Sequence, residues 1–151
     1  MDLWRKVARA EIKMTVIDVF KGERREDWRT PAKLYKQLDE EFHFDFDPCP
    51  VNPTFDGLRI EWGKTNFVNP PYGRDIYKWF EKGFTEWQKG KTIVYLIFVQ
   101  QSSTKNFHKY IYPYAEVRLL KGRLRFDDGK GSAPFGSMLC ILRGTEKLIS
   151  E

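Results

Sequence analysis

The stretch KTIVYLIFV, residues 91–99, contains a continuous apolar run from Ile93 to Val99. Such a run predicts a strand buried on both faces, in the middle of a sheet that helices cover on each side. It is too short to cross a bilayer. The sequence just before it agrees, because residues 75–89 carry apolar side chains at helical spacing. Residues 66–69, which end at two prolines, predict a second strand.

Further elements extend this alternation toward the N-terminus. Thr30 is predicted to cap a helix that has Pro31 in its first turn. Leu34, Leu38 and Phe42 follow at helical spacing. The strict alternation of phenylalanine with polar residues at 42–47 then predicts a strand that ends at Pro48.

The C-terminal part predicts a shorter helix and two strands. Ser102 or Ser103 is expected to cap a helix that runs to about Tyr112. Residues 115–126 and 135–143 are expected to be the last strands, joined by a flexible hairpin tip at 127–132. The order of elements predicts an α/β domain of three layers, Rossmann-like, with a mostly parallel sheet and antiparallel strands at its C-terminal end.

Composition excludes several classes of protein. Charged residues make up 31% and hydrophobic residues 41% of the 151, which indicates a folded domain and no membrane span. The N-terminus has no secretion signal, so we expect a cytoplasmic protein. The two cysteines and two histidines lack metal-ligand spacing, so no metal site is predicted. The net charge of +5 favours a polyanionic partner, although ordinary proteins carry as much.

Four residues after the second strand carry the chemistry, namely Asn69-Pro70-Pro71-Tyr72. They follow a strand, where α/β folds place their ligand crevice. The amino group of adenine is a poor nucleophile because its lone pair is delocalised into the ring. Two acceptors, the Asn69 side-chain oxygen and the Pro70 carbonyl, would localise that lone pair. The prolines keep the acceptors aimed, and Tyr72 offers a flat face to a base that has left the duplex.

The alternative interpretation of this tetrapeptide is a tight turn followed by a packed tyrosine, because Asn-Pro and Pro-Pro are ordinary turn formers. Its place between a strand and a helix favours the functional interpretation.

Several weak motifs in a fixed order make the chain resemble the phage-type DNA N6-adenine methyltransferase family, between about Trp28 and Leu142. The carriers are Trp28-Arg29-Thr30-Pro31, Phe44-Asp45-Phe46-Asp47-Pro48-Cys49, Asn52, Asp56-Gly57-Leu58 with Trp62, Asn69-Pro70-Pro71-Tyr72-Gly73 with Trp79, Gly122-Arg123-Leu124-Arg125-Phe126, and Ala133-Pro134-Phe135-Gly136-Ser137. The resemblance implies a Rossmann-like methyltransferase fold, S-adenosylmethionine as methyl donor, adenine in double-stranded DNA as acceptor, and a viral or prophage protein in the host-cell cytoplasm.

The chain departs from the family pattern at residues 101–104, where the family has an Arg-Thr-Asp-Thr-like segment. Residues 1–27 are interpreted as a charged helical extension outside the resemblance, and 28–151 as the catalytic domain.

Cofactor-binding residues are predicted around the start of the first helix and the end of the 42–47 strand. Asp47 is placed to hold ribose hydroxyls or the methionine ammonium, with Pro48 and Cys49 lining the same crevice. Thr30-Pro31 opens a helix, and the free N–H groups at that helix start can hold a carboxylate, although a plain helix cap is an equal alternative. Asp56 is a weaker candidate, because a loop aspartate is most often only solvated.

A basic stretch near the C-terminus is the candidate DNA contact. Arg123 and Arg125 alternate on a predicted strand face and would lie along phosphates. Arg74, just past the Asn69–Tyr72 turn, is placed to do the same. The other members are Lys121 and Lys130. An ordinary charged surface is the alternative interpretation.

The sequence therefore predicts an adenine-specific DNA methyltransferase, monomeric or homodimeric. Two alternatives stay open. One is the same chemistry on RNA or on a protein side-chain amide. The other is a catalytically silent nucleic-acid-binding module, which the altered residues 101–104 favour slightly and the intact Asn69–Tyr72 turn disfavours. The side chain of Trp79 is interpreted as a core residue without a function.

Overall fold

The computed structural model describes residues 29–125 and 135–145. The elements in chain order are α1 (Ala32–Phe42), β1 (Thr65–Val68), α2 (Ile76–Gln88), β2 (Thr92–Phe98), a 3-10 helix (Val99–Ser103), α3 (Lys105–Tyr110), β3 (Glu116–Leu119) and β4 (Ser137–Leu142). The predicted N-terminal extension at 1–27 and the predicted hairpin tip lie outside the described residues. None of the helices in 29–125 or 135–145 is long and apolar enough to span a bilayer.

The four described strands form one mixed sheet in the order β1-β2-β4-β3. Every residue of β2 is buried, as the apolar run predicts, because β2 is an inner strand of a sheet that helices contact on both faces. The expectation of a mostly parallel sheet requires a correction. Only β1 and β2 pair in parallel, whereas β4 runs antiparallel to both β2 and β3. The reason is that the reversed strand β4 inserts between two strands that share a direction, which makes both of its ladders antiparallel.

Helices contact both faces of this sheet. Tyr35 of α1 packs edge-on against Phe67 of β1, with ring centroids 5.2 Å apart. Phe80 of α2 packs against Tyr95 of β2 at 5.8 Å. Phe67 is in register with Val94, the neighbour of Tyr95. Because side chains alternate along a strand, Phe67 and Tyr95 point to opposite faces, and so α1 and α2 cover opposite sides.

One glycine allows α2 to approach the sheet. A Cβ atom on Gly83 would overlap the hydroxyl of Tyr95. That hydroxyl donates to the Trp79 carbonyl at 3.1 Å. A larger residue at 83 would therefore push the helix away from β2.

The strand predicted at 42–47 is not formed. Phe42 ends α1, and His43 adopts the left-handed conformation with φ 55° that closes the helix. Only Phe46 pairs with a strand, through one parallel bridge to Asn66. The alternation is still visible in part, because Phe44 and Phe46 pack against the core whereas His43 and Asp45 are exposed. Between this segment and β1 the backbone bonds are those of the Asp45 amide to the Thr65 carbonyl and of the Phe67 amide to the Phe46 carbonyl, and Pro48, which has no N–H, follows at once.

Both predicted helix caps are also wrong. The residue that precedes α1 is Pro31, and no side chain caps that helix, because Thr30 lies one position too early. In α3 the cap is Thr104, whose hydroxyl accepts a hydrogen bond from the Phe107 amide. Ser102 and Ser103 are taken up by the 3-10 helix that follows β2.

The strand predicted at 115–126 is shorter than expected. It ends at Leu119, and Gly122 has φ 72°, a left-handed conformation that breaks the strand. Arg123 and Arg125 therefore lie outside β3 and do not share its face, contrary to the prediction. Phe126 lies outside the described residues.

Candidate active site

The Asn69–Tyr72 segment, named the catalytic turn after the role that the sequence predicts for it, leaves the carboxyl end of β1 as predicted. Asn69 is half-buried and Pro70 is buried. The Asn69 side-chain nitrogen donates to the Thr30 hydroxyl, with Nδ2 and Oγ1 3.1 Å apart. This bond joins the catalytic turn to the segment that enters α1, so two separately predicted groups of site residues meet.

The side chain of Tyr72 packs against the sheet. Its ring stacks on Phe98 with centroids 4.3 Å apart, and its hydroxyl donates to the Leu96 carbonyl at 3.1 Å. Only 3% of the residue is exposed, and this burial raises the pKa of the phenol well above its usual range. The open aromatic face expected for a base is therefore absent in this state, because the end of β2 supplies partners for both the ring and the hydroxyl.

A small cavity of about 70 Å³ brings the predicted residues of three chain segments together. Thr30, Asp47, Cys49 and Asn69 all line it. The segments before α1, before β1 and after β1 are distant in sequence, so their convergence is a result of the fold. Pro31 does not line either cavity described here.

A larger cavity of about 530 Å³ lies beside the first and shares Cys49 with it. Its volume is in the range of cavities that bind cofactors. Pro48, Asp56 and Pro71 line it, as the predicted positions imply. The other lining residues are Pro50, Asn52, Pro53, Phe55, Gly57 and Trp79.

Asp47 is the partly buried acid of this region. Its Oδ1 accepts a hydrogen bond from the Cys49 amide at 2.9 Å, the one hydrogen bond that the described residues give this side chain. Burial raises the pKa of the Asp47 carboxyl, and the bond from Cys49 offsets this only in part. A cation placed beside Asp47 would stabilise its charged form. The site is therefore suited to a positively charged ligand.

The Asp56 carboxylate makes its contacts with residues close to it in the sequence. Its Oδ1 accepts from the Leu58 amide at 3.0 Å, and its Oδ2 pairs with Arg59 at 3.3 Å. It is exposed at the rim of the larger cavity. These contacts agree with the solvated loop aspartate that was the alternative interpretation.

The predicted DNA contacts that the structure describes are Arg74, Lys121, Arg123 and Arg125, and all are exposed. Lys130 lies outside the described residues. Arg74 follows the catalytic turn after one glycine. Gly136 bonds to the Val99 amide at the end of β2, and a Cβ on Gly136 would lie 4.0 Å from the Gly122 carbonyl. The basic stretch therefore starts at the same edge of the sheet as the catalytic turn.

Several cavity-lining residues were missed by sequence reasoning, among them Trp79 and Arg29. Trp79 packs in the core, as predicted, but it also lines the larger cavity. Its place in the first turn of α2, directly after the catalytic turn, was the available signal. Arg29 lines the small cavity, and only its position before Thr30 could have indicated this. Within 29–125 and 135–145, no cluster of His, Cys, Asp and Glu is suited to a metal ion.

Comparison with known protein families identifies a relationship over most of the chain. The sequence model of the family described as DNA N-6-adenine-methyltransferase (Dam) matches residues 19–147. The match includes residues 19–27, which the sequence analysis assigned to an extension outside the resemblance. A search of curated proteins gives no match.

Proposed function

The chain belongs to the DNA N-6-adenine-methyltransferase (Dam) family, and from this premise we propose that it transfers a methyl group from S-adenosylmethionine to N6 of a flipped-out adenine in double-stranded DNA. The observation that carries the proposal is the small cavity shared by Asn69, Asp47 and Thr30. It joins the acceptor side of the reaction, at the catalytic turn, to the predicted donor side.

The catalytic turn acts on the adenine amino group. The Asn69 side-chain oxygen and the Pro70 carbonyl accept hydrogen bonds from the two N6 protons, which localises the nitrogen lone pair. Two successive prolines restrict the backbone, and the bond from Asn69 Nδ2 to Thr30 restrains the side-chain amide. Catalysis on this account comes from positioning and from acceptors arranged before the substrate arrives.

The cofactor-binding role falls to the residues around the two cavities. S-adenosylmethionine supplies an electrophilic methyl group on a positively charged sulfur. The Asp47 carboxylate would hold the methionine ammonium or the ribose hydroxyls. Burial disfavours its charged form, and a cation beside it would offset that cost. Pro48, Cys49 and Asp56 line the space for the nucleoside part. The free N–H groups in the first turn of α1, directly after Thr30-Pro31, hold the methionine carboxylate.

Tyr72 stacks on the flipped base after its ring leaves Phe98. The neighbouring Gly73 is exposed and has φ 144°, a conformation that glycine adopts more easily than other residues, which supports this site as the point where the backbone would adjust. Arg74, Lys121, Arg123, Arg125 and Lys130 contact the DNA backbone in this proposal. Their exposure, where described, leaves them accessible to a duplex.

The fold supports the same function. The mixed sheet with α1 and α2 on opposite faces is consistent with a three-layer, Rossmann-like methyltransferase domain, proposed to span residues 28–151. The altered segment at 101–104 includes Thr104, which caps α3. Thr104 is the position at which this segment keeps the family's residue, so the silent binding module stays open as an alternative on the changed residues 101–103.

The test is to incubate the protein with radiolabelled S-adenosylmethionine and separate pools of unmethylated DNA, RNA and protein. Label is expected in DNA, and mass spectrometry of the digested DNA is expected to show N6-methyladenine. Finding only N4-methylcytosine would contradict the acceptor base, and label only in RNA or protein would contradict the substrate class. Absence of label from all three pools would favour the silent module.

A further inference from the structure

The side chain of Ser137, the first residue of β4, is an unusual one to find in a core. The residue is 1% exposed. Its hydroxyl oxygen has no hydrogen-bond partner within the described part of the chain. A hydroxyl buried without a partner costs stability, so its presence calls for an explanation. Ser137 belongs to the Ala133–Ser137 motif, to which the proposed function assigns no role.

Ser137 lies next to the aromatic stack of the catalytic turn. It is directly opposite Phe98 in the antiparallel ladder between β2 and β4. Residues that face each other across such a ladder project from the same side of the sheet. Phe98 carries the Tyr72 ring on that side. The Ser137 hydroxyl is therefore on the sheet face that Tyr72 covers.

The backbone holds Ser137 firmly in this place. The Leu120 amide donates to the Ser137 carbonyl at 3.0 Å, and the Val99 amide donates to the neighbouring Gly136 carbonyl at 2.9 Å. Phe98 of β2 therefore pairs with it on one side, and Leu120, the residue after β3, bonds to it on the other. The hydroxyl can rotate about its own bonds, but the residue cannot move away from the end of β2.

We propose that the Ser137 hydroxyl is a substrate contact, which donates a hydrogen bond to a ring nitrogen of the flipped adenine, N1 or N7. This inference rests on the proposed function. Departure of the Tyr72 ring from Phe98 admits the base to this face, and the serine then gains the partner that it lacks. Substrate binding would thus supply the hydrogen-bond partner that the Ser137 hydroxyl lacks while the Tyr72 ring lies on Phe98.

The chemistry of adenine fits this arrangement. Its N6 amino group is flanked by two acceptors, N1 and N7. In this proposal, a donor at Ser137 on β4 and the acceptors Asn69 and Pro70 after β1 approach the base from the two sides of β2 and together match that edge. Guanine carries an acceptor, O6, where adenine has its amino group, and a proton on N1, so it mismatches the set.

The first experiment compares Ser137→Ala with a matched control, Thr92→Val. Thr92 is a buried hydroxyl on the same face of β2, at its other end, and its oxygen accepts from the Gly144 amide at 2.9 Å. Ser137→Ala is expected to lower kcat/KM for DNA methylation roughly tenfold, the effect of one lost hydrogen bond, with an unchanged or higher melting temperature. Thr92→Val is expected to lower the melting temperature and leave kcat/KM unchanged. A Ser137→Ala protein that is less stable but equally active would show that the serine is only structural.

The second experiment removes the acceptor from the substrate. Duplexes with 7-deazaadenine or 1-deazaadenine in place of adenine lack N7 or N1. One of them is expected to slow wild-type methylation roughly tenfold and to slow Ser137→Ala no further. Equal losses in both proteins with both analogues would overturn the contact. Failure of the wild type to methylate ordinary DNA would instead refute the proposed function. In that case, base flipping is measured by the fluorescence of duplexes that carry 2-aminopurine. Equal fluorescence changes with wild type and Ser137→Ala would refute the serine contact as well.

Discussion

The side-chain amide of Asn69 and the hydroxyl of Thr30 are hydrogen-bonded at 3.1 Å, across 39 residues of chain. The bond uses the nitrogen of the amide, and therefore determines which way the rest of the group points. Thr30 does not cap α1. Its hydroxyl can thus be removed without the loss of a helix cap, which makes it a suitable point at which to test how the catalytic turn is positioned.

Thr30→Val is expected to lower kcat for methyl transfer about fivefold, while Thr30→Ser restores it. Valine keeps the shape of threonine but cannot accept from Asn69, and the loss corresponds to about 1 kcal/mol for one hydrogen bond. Single-turnover kinetics with saturating cofactor measure the effect. Equal rates for Thr30→Val and wild type would mean that the bond does not orient Asn69.

Asn69→Ala is expected to reduce the rate of methyl transfer by about 10²–10³-fold or more and to leave cofactor affinity nearly intact. Asn69 is proposed to act on the acceptor amino group through a preorganised contact that matters in the transition state. Radiolabel transfer and calorimetry with S-adenosylmethionine measure the two effects. A loss of cofactor affinity as large as the loss of rate would contradict the assignment.

Asp47→Asn is expected to weaken S-adenosylmethionine binding far more than DNA binding, and to stabilise the ligand-free protein at neutral pH. Asparagine keeps the acceptor for the Cys49 amide but carries no charge to bury. Calorimetry and thermal unfolding are the measurements. Asp45→Asn is a control, because that exposed carboxylate binds the amides of Lys64 and Thr65 instead. Unchanged cofactor affinity in Asp47→Asn would exclude this residue from the cofactor site.

The raised pKa of Asp47 also predicts a pH dependence. Because the folded protein holds this proton more tightly than the unfolded chain, the residue's contribution to stability is greatest below the ordinary value of 3.8 and is lost as pH rises through the folded pKa. Cofactor affinity should change in the opposite direction, and fall as pH falls through the same range, since the ligand requires the carboxylate. In Asp47→Asn this pH dependence of binding should disappear; its persistence would point to another acid.

Replacing Arg123 and Arg125 together with alanine is expected to weaken DNA binding about equally for all sequences. If both contact phosphates, the salt dependence should fall by roughly two units of log–log slope. The control replaces Lys64, an exposed residue directly before β1, at the opposite end of the sheet. If one arginine reads a base instead, its loss should relax sequence preference at a cost of about 1–3 kcal/mol. If the double variant matches the wild type in DNA affinity, salt dependence and sequence preference, the two arginines are part of an ordinary charged surface.

A buried ion cluster away from the site is expected to contribute to stability. Glu86 is fully buried on α2 and pairs with Lys82, Lys89 and Lys91, and the bonds from Lys82 and Lys91 lower its pKa to about 2. Glu86→Gln is expected to destabilise the protein by about 3 kcal/mol, because the lysines lose their shared partner. Glu81→Gln, exposed on the same helix, is the control, and urea unfolding is the measurement.

The pH dependence of that cluster has the opposite sign to that of Asp47. A lowered folded pKa means that the stability contributed by Glu86 is present above the ordinary value of 4.5 and is lost as pH falls toward about 2. Wild type should therefore lose more stability across this range than Glu86→Gln does. Parallel stability curves for the two proteins would show that the charge of Glu86 is not what matters.

The elements that could be predicted from the sequence are those with a strong local pattern. The buried strand β2, the amphipathic helix α2 and the placement of the catalytic turn after β1 were all predicted, and the structure confirms them. An apolar run or a helical period records the burial of neighbouring residues, which is a local property. The family resemblance rested on motif order along the chain, and the family match confirms it.

Local patterns were less reliable where several side chains compete for one role. Thr30, Ser102 and Ser103 are all reasonable helix caps by residue type, yet Thr104 is the cap of α3 and Thr30 bonds to Asn69. The alternation at 42–47 was real, but a strand also needs a partner of matching length, and only Phe46 finds one.

By itself, the sequence determined which segments are buried, where the catalytic turn lies and to which family the chain belongs, because each of these is written in residues close together or in the order of motifs. Only the tertiary structure decided that β4 inserts in reverse between β2 and β3, that Asp47 and Asn69 share a cavity, and that Ser137 lies opposite Phe98. These relationships join residues that are distant along the chain. They depend on how the whole core packs, and no local pattern of polarity records that.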